Sequence, residues 1–173
     1  MNTKTMTQCA LASALLCILA PIAIPLVGQI PISLTTLLIM ILSVLLGSKK
    51  TLICVGLYIL IGCLGFPVFA NYASGLPTVF GPTGGFIIGY LFLAYFTNLF
   101  FQSKKTIFSL FLGILLGHFF LYLLGTCWFS FIMQVSIKTA LVSCMIPFLS
   151  TDSTKIGIVL ILGPLLAKRI PIH

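Results

Sequence analysis

Residues 107–124 read IFSLFLGILLGHFFLYLL and contain no Lys, Arg, Asp or Glu. A helix needs about 20 predominantly apolar residues to cross the ~30 Å hydrocarbon core of a bilayer. This segment is long enough, and the segment before it, GFIIGYLFLAYFTNLFF at 85–101, has the same character. A short loop that contains Lys104 and Lys105 separates the two. The pattern predicts two consecutive transmembrane helices.

The composition of the whole chain agrees with a membrane location. Of its 173 residues, 60% are hydrophobic and 6% are charged, and the mean hydropathy is +1.28. A soluble domain has about a quarter of its residues charged. Nine Lys or Arg accompany a single acid, Asp152, so a catalytic pair of carboxylates is excluded. The net charge of +8 does not indicate nucleic acid, because the bases occur in pairs between apolar runs without interleaved aromatics. We predict an integral membrane protein that contacts lipid.

The number of spans follows from the positions of the basic residues. Besides the two segments above, spanning helices are predicted over 6–27, 34–47, 51–65 and 156–167. The segment 128–149 is also apolar but is interrupted by Lys138. Short cytoplasmic loops carry most Lys and Arg residues. If 128–149 stays on the outer side, six spans place four basic clusters inside, namely Lys4, Lys49–Lys50, Lys104–Lys105 and Lys168–Arg169. We therefore predict one domain over 1–173, a six-helix bundle with both termini cytoplasmic, and outer segments at 28–32, 66–82 and 128–150.

Asp152 and Lys155 lie three residues apart at the predicted outer start of the last helix. Residues with this spacing share a helix face. In one interpretation the run Ser150–Ser153 simply caps the helix and Lys155 extends to the interface. The alternative is a binding site, because ionisable residues at membrane depth are costly and usually functional. A carboxylate accepts ligand N–H bonds and an ammonium suits a ligand carboxylate, so the pair fits a small molecule that has both groups.

The outer loop 66–82 is long and contains side chains suited to binding, including Phe69, Asn71 and Tyr72. Long loops in compact proteins are often functional. The sequence GPTGG at 81–85 follows, and its Thr83, Gly84 and Gly85 are candidate binding residues because glycine lets a ligand approach the backbone. No Gly-Lys-Ser/Thr follows, so this is not a phosphate-binding loop.

Other features favour packing over chemistry. Small residues recur four apart at Ala10–Ala14, Gly85–Gly89 and Gly113–Gly117, a pattern that lets helices pack closely inside the bundle or against a partner. His118, inside an apolar run, is interpreted as a buried, hydrogen-bonded residue. One acid and two separated His form no convincing metal site or catalytic triad. We therefore predict that the chain is not an enzyme and has no cofactor.

Four motifs together resemble a known family over essentially the full chain. They are IPISLTT at 30–36, GFPVFA at 65–70, GPTGGF at 81–86 and PFLSTDSTK at 147–155. The last is similar to the Pro-Phe-Leu-Pro-Gly-Asp-x-x-Lys of the BioY family, the biotin-specific S components of energy-coupling factor (ECF) transporters. Two departures stand out: Ser150-Thr151 replaces Pro-Gly, and Phe86 stands where Tyr is common.

The resemblance implies a six-helix subunit that captures biotin in a pocket near the outer face. It implies that Asp152 and Asn71 contact the ureido ring, that Lys155 lies near the valerate carboxylate, and that Phe69 and Tyr72 pack on the apolar body. Ala10 and Ala14 would dock on a transmembrane coupling subunit (EcfT-like). Cytoplasmic partner ATPases would use the ATP, and the location would be the bacterial plasma membrane. The alternatives are an S component for another vitamin, or a membrane scaffold or enzyme without transport.

Overall fold

The structure, a computed structural model, describes residues 3–24 and 32–169. These ranges are almost entirely helical, as predicted. The predicted outer turn at 28–32 lies mostly outside them, as do the end of the predicted span 6–27 and the first two residues of the IPISLTT motif. The elements in chain order are α1 (Thr3–Leu19), β1 (Ala23–Ile24), β2 (Ile32–Ser33), α2 (Thr35–Leu46), α3 (Ser48–Cys63), a 3-10 turn (Ala70–Tyr72), α4 (Leu76–Phe80), α5 (Gly84–Lys104), α6 (Ile107–Met133), α7 (Ile137–Cys144) and α8 (Ile146–Arg169).

Three described segments are long and apolar enough to cross a membrane: Gly84–Ser103, Ile107–Met133 and Ile137–Ala167. The first two contain the predicted spans 85–101 and 107–124. Helix α6 begins with a capping box, in which Ser109 N–H donates to Thr106 Oγ1 and Thr106 N–H donates to Ser109 Oγ. It ends at Met133, where Gln134 adopts a left-handed conformation. The helix is therefore longer than its predicted span.

The boundaries predicted for 128–149 and for the last helix are wrong. The first part of this segment belongs to α6, the middle forms the short helix α7, and α8 begins at Ile146. Pro147 is the second residue of α8, a position where its missing N–H costs nothing. The polar run that follows is also helical, and the hydroxyls of Thr151, Ser153 and Thr154 are satisfied within the helix by carbonyls three or four residues earlier.

Glycines let α5 and α6 pack closely along their length. A Cβ on Gly117 would lie 2.9 Å from Leu93 Cα, and one on Gly89 would lie 3.0 Å from Leu121 Cα. Gly113 likewise packs against the α5 backbone at Phe96 and Thr97. For these small-residue pairs, the interpretation as internal packing is confirmed.

Helix α1 packs against α3 through its other small residues. Cys9, Ala12 and Ser13 are buried, and Ser13 Oγ donates to Cys54 O at 3.3 Å. Ala10 and Ala14 lie on the opposite, exposed side of α1. The two predicted docking residues are therefore available on the surface of the described chain.

The connection between α3 and α5 folds over the end of the bundle. Phe69 is buried, its ring packs on Gly62, and it makes an edge contact with Tyr58 at a centroid distance of 5.6 Å. Asn71 and Tyr72 both have left-handed backbone conformations, with φ of 58° and 59°. Asn71 N–H donates to Pro21 O at 3.1 Å, which ties this loop to the end of α1. The loop is thereby held as one wall of a cavity.

Candidate functional site

A cavity of about 310 Å³ lies where this loop meets the helices α2, α3, α5, α6 and α8. Its volume is at the lower end of the range typical of sites for small molecules. The wall is mainly apolar and aromatic, with a few polar side chains. The lining residues are Ser33, Thr36, Tyr58, Phe69, Ala70, Asn71, Ala73, Thr78, Pro82, Thr83, Phe86, Ile87, Tyr90, Leu121, Tyr122, Phe148, Asp152 and Lys155.

Asp152 and Lys155 form an ion pair on this wall. Lys155 Nζ lies 2.8 Å from Asp152 Oδ1, as their i, i+3 spacing on α8 allows. The two residues are only 3% and 9% exposed. Lys155 Nζ also donates to Ser33 O at 2.9 Å and to Thr36 Oγ1 at 3.0 Å. The lysine therefore has three acceptors inside the protein and does not extend to the membrane interface.

The Asp152 carboxylate is held by partners on two other helices. Tyr122 OH on α6 donates to Oδ2 at 2.5 Å, and Thr36 Oγ1 on α2 donates to Oδ1 at 3.4 Å. A buried charge is tolerated only when it is paired and hydrogen-bonded. Since α8 begins at Ile146, Asp152 lies in its second turn and is not its cap. The capping interpretation is therefore wrong, and so is the interpretation of Lys155 as an interfacial residue.

Three further predicted residues, Phe69, Asn71 and Thr83, also line the cavity. Asn71 comes from the 3-10 turn, and its left-handed backbone is a conformation that Asn adopts more readily than most residues. Thr83 immediately precedes α5, and its hydroxyl donates to Thr78 O at 3.2 Å. The structure thus brings together five of the eight residues predicted to contact substrate.

The other three, Tyr72, Gly84 and Gly85, are not part of the described cavity wall. Tyr72 is 66% exposed. A Cβ on Gly84 would collide with Val79 O, and one on Gly85 would collide with the Trp128 side chain of α6. Trp128 Nε1 in turn donates to Gly81 O at 2.9 Å. Both glycines therefore allow the loop and α5 to pack on Trp128. The space beside them is filled by protein atoms, so the geometry favours packing over the expected approach of a ligand to their backbone.

Sequence reasoning missed several wall residues, chiefly Thr36, Tyr90 and Tyr122. Each is a polar residue within or at the start of an apolar helix, and such residues usually face the interior of a bundle. That rule, applied beyond the ionisable residues, could have found them. Phe86, the departure from the usual Tyr, stacks with Phe148 at a centroid distance of 6.4 Å and closes part of the apolar wall.

His118 is buried, as predicted, and its Nδ1 lies 3.0 Å from Ile114 O. Its Nε2 lies 3.7 Å from Asp152 Oδ2, although His118 is not among the cavity wall residues. The positions of His118 and Asp152 in the sequence did not predict this contact.

The chemistry of the site is that of recognition. Asp152 offers acceptor oxygens and Lys155 offers a donor, side by side, within an apolar and aromatic enclosure. This arrangement complements a ligand group in which an N–H stands next to a C=O, such as an amide or a cyclic urea.

Comparisons with known proteins agree with this description. The sequence model of the BioY family matches residues 1–172. The biotin transporter BioY2 of Lactococcus lactis subsp. cremoris (strain MG1363) is 33% identical over 172 residues, which cover 98% of this chain and 94% of that protein. The biotin transporter BioY of Thermotoga maritima is 29% identical, with coverage of 96% and 95%.

A solved structure has the same fold. It is the crystal structure of the S-component for biotin from an ECF-type ABC transporter, which matches with a TM-score of 0.87 and 28% identity. The match covers 97% of this chain and 95% of that chain. From the family match over nearly every residue and the shared fold, we conclude that the chain belongs to the BioY family.

Proposed function

We propose that this chain is the biotin-binding S component of an ECF-type transporter and that biotin occupies the cavity described above. The observation that carries the proposal is the buried Asp152–Lys155 pair, 2.8 Å apart, on the wall of an apolar cavity. Biotin has a cyclic urea with N–H donors and a carbonyl acceptor at one end, an apolar bicyclic body, and a carboxylate at the other end. The polar and apolar parts of biotin correspond to the polar and apolar residues of the cavity wall.

The geometry supports a division of roles that differs from the one implied by resemblance. An extended biotin molecule cannot present its ureido ring and its carboxylate to one ion pair. We assign both charged residues to the ureido group, with its N–H donating to Asp152 and its carbonyl accepting from Lys155 in exchange for one of the three bonds that Nζ makes within the protein. Asn71, whose side-chain amide has two N–H donors, is then the wall residue available to the carboxylate tail, and Thr83 joins it by exchanging its bond to Thr78 O.

The body of biotin has a matching surface. Tyr58, Phe86 and Phe148 line the cavity beside the ion pair. Burial of apolar area against such rings contributes roughly 25 cal/mol per Å². Polar contacts at the ureido end select the ligand, and this apolar burial supplies much of the affinity.

The chain as a whole is one substrate-binding unit, 1–173, that crosses the bacterial plasma membrane six times with both termini cytoplasmic. The arrangement of basic residues supports this topology, because six spans leave Lys4, Lys49–Lys50, Lys104–Lys105 and Lys168–Arg169 on one side. A fluorescent protein fused to the C terminus is expected to fluoresce in cells, whereas fusion after residue 135 is expected to give none. Fluorescence of the second fusion would contradict the topology.

Transport requires partners. A transmembrane coupling subunit docks on the exposed face of α1 that contains Ala10 and Ala14, and cytoplasmic ATPases supply the energy. The fit of small, exposed residues to a closely packed helix supports this surface.

The test is calorimetric titration of the purified full chain in detergent. We expect biotin to bind at micromolar concentration or below. No binding of biotin, with binding of a different vitamin, would replace the proposal by an S component of other specificity.

The same titration tests the orientation of biotin. The affinities of Lys155→Met and of the parent chain are measured for three ligands. These are biotin, 2-iminobiotin, which lacks the ureido oxygen, and biotinamide, which lacks the carboxylate charge. We expect the effect of the substitution to shrink with 2-iminobiotin and to persist with biotinamide. The reverse result would assign Lys155 to the carboxylate.

A further inference from the structure

His118 is a polar group whose position the proposed binding site does not explain. It lies on α6, one turn before Tyr122, and is 5% exposed. It is not among the residues that line the cavity, but its Nε2 lies 3.7 Å from Oδ2 of Asp152, which is. Because this buried imidazole lies beside the main binding residue, its protonation state bears on ligand binding.

The hydrogen bond to Ile114 determines the tautomer of the neutral ring. Nδ1 lies 3.0 Å from Ile114 O, and a carbonyl oxygen only accepts. Nδ1 therefore carries a hydrogen and donates it. In the neutral imidazole the other nitrogen, Nε2, then has a lone pair and no hydrogen.

That lone pair accepts no hydrogen bond from the described residues. Nε2 has no hydrogen-bond partner among the described residues, and it lies 3.7 Å from Asp152 Oδ2. Asp152 Oδ2 is itself an acceptor, since Tyr122 OH donates to it at 2.5 Å. Two acceptors thus face each other in a buried position. One proton on Nε2 would convert this contact into an ion pair.

The charged groups around His118 determine when Nε2 would keep such a proton. From α8, Asp152 and Lys155 face this cluster, with formal charges that cancel. Tyr122 on its own helix stands at a ring-centroid distance of 5.9 Å. On α5, Tyr90 reaches the cavity wall, and α2 contains no titratable residue. A ligand carboxylate at the Asn71 end of the same cavity adds one negative charge, and no cation among the described wall residues is left to neutralise it, because Lys155 is paired with Asp152.

We propose that His118 is a positioning residue that takes up one proton on Nε2 when an anionic ligand occupies the cavity, so that it holds Asp152 by an ion pair in the loaded state. The proton comes from solvent, neutral imidazole plus H⁺ giving imidazolium, and no other bond changes. This inference rests on the proposed binding of biotin. It adds that uptake of the carboxylate-bearing vitamin is coupled to a proton.

The direction in which biotin affinity changes with pH follows from the linkage between ligand binding and proton binding. If the complex binds more protons than the free protein, affinity rises as pH falls, by at most about tenfold per pH unit for one proton. The effect belongs to the range of about pH 5 to 8, in which histidine changes its charge.

The experiment is titration of the full chain in detergent with biotin, in pairs of buffers that differ in ionisation enthalpy. The dependence of the observed heat on the buffer gives the number of protons taken up per ligand. We expect a value between zero and one that grows as pH falls from 8. With biotinamide, which is uncharged, and with His118→Gln, which cannot titrate, we expect a value near zero. His173→Gln, outside the described residues, is the matched control and should take up protons as the parent does.

The outcomes separate this inference from the proposed function. Absence of biotin binding overturns both. Binding of biotin with no proton uptake by the parent chain, or with the same uptake by His118→Gln, overturns only the role of His118. If His118→Gln does not fold, nitrogen-15 NMR of the histidine-labelled parent gives the answer, since the His118 Nε2 signal must change to that of a protonated nitrogen on addition of biotin. An unchanged signal would exclude the proposal.

Discussion

Asp152 Oδ1 lies 2.8 Å from Lys155 Nζ, and both side chains are buried on the wall of one apolar cavity. Charges removed from water are stable only when the partner and the surrounding hydrogen bonds are retained. Loss of either residue should therefore affect the fold as well as the ligand, and the two effects can be measured separately.

Asp152→Asn keeps the shape of the side chain but replaces an acceptor oxygen by an amide. We expect biotin affinity to fall by about 1–3 kcal/mol, because a ligand N–H loses its charged acceptor. Calorimetry measures the change. Ser153→Ala, an exposed position in the same turn, should bind as the parent does. An affinity of Asp152→Asn equal to that of the parent would mean that the carboxylate accepts no ligand hydrogen bond.

Lys155→Met leaves the Asp152 carboxylate buried without its cation. Breaking a buried pair in this way typically costs about 3–5 kcal/mol of stability. The double variant Asp152→Asn with Lys155→Met should recover part of that loss, since no unpaired charge remains. Thermal unfolding of both variants in the same detergent provides the comparison. Equal stability of the single and the double variant would argue against a direct coupling of the two residues.

Tyr122→Phe removes the hydroxyl that donates to Asp152 Oδ2. Hydrogen bonds to charged groups contribute about 1.5–3 kcal/mol, so we expect lower thermal stability and weaker biotin binding. Tyr95→Phe is the matched control, because Tyr95 is 42% exposed on the neighbouring helix α5 and makes no described contact with Asp152. The prediction fails if the two variants behave alike.

Gly117→Ala should destabilise the bundle, because the new Cβ would lie 2.9 Å from the Leu93 backbone and separate α5 from α6. Gly56→Ala provides the control, since a Cβ there meets nothing within 4 Å. In a helix that change is expected to stabilise by about 0.5–1 kcal/mol. Unfolding midpoints of the two variants should move in opposite directions. A stable Gly117→Ala chain would show that the helices can separate at little cost.

Ala14→Trp should leave biotin binding intact and prevent assembly with the coupling subunit and ATPases, because a large side chain on the exposed face of α1 blocks close helix packing. Copurification of the complex with the tagged chain measures assembly. Ile161→Trp, on the exposed side of α8, is the control and should assemble normally. Normal assembly of the Ala14 variant would place the docking surface elsewhere.

Much of this protein could be predicted from local pattern. The apolar segments 85–101 and 107–124 lie within α5 and α6, because length and hydropathy are sufficient to identify a spanning helix. The placement of Asp152 and Lys155 on one helix face followed from their spacing, and the structure adds that they pair with each other. The start of α8 was missed, because Pro147 is compatible with a first turn and the polar run after it bonds to its own helix.

The sequence by itself determined the membrane class, the main apolar helices and the two charged residues of the site, since each depends on neighbours within a few positions. Only the tertiary structure decided which other groups meet those charges. Thr36, Tyr122 and His118 reach Asp152 from two other helices, across separations of 116, 30 and 34 residues. The physical reason is that close packing at glycines sets which faces of the helices meet, and this depends on contacts that no local pattern records.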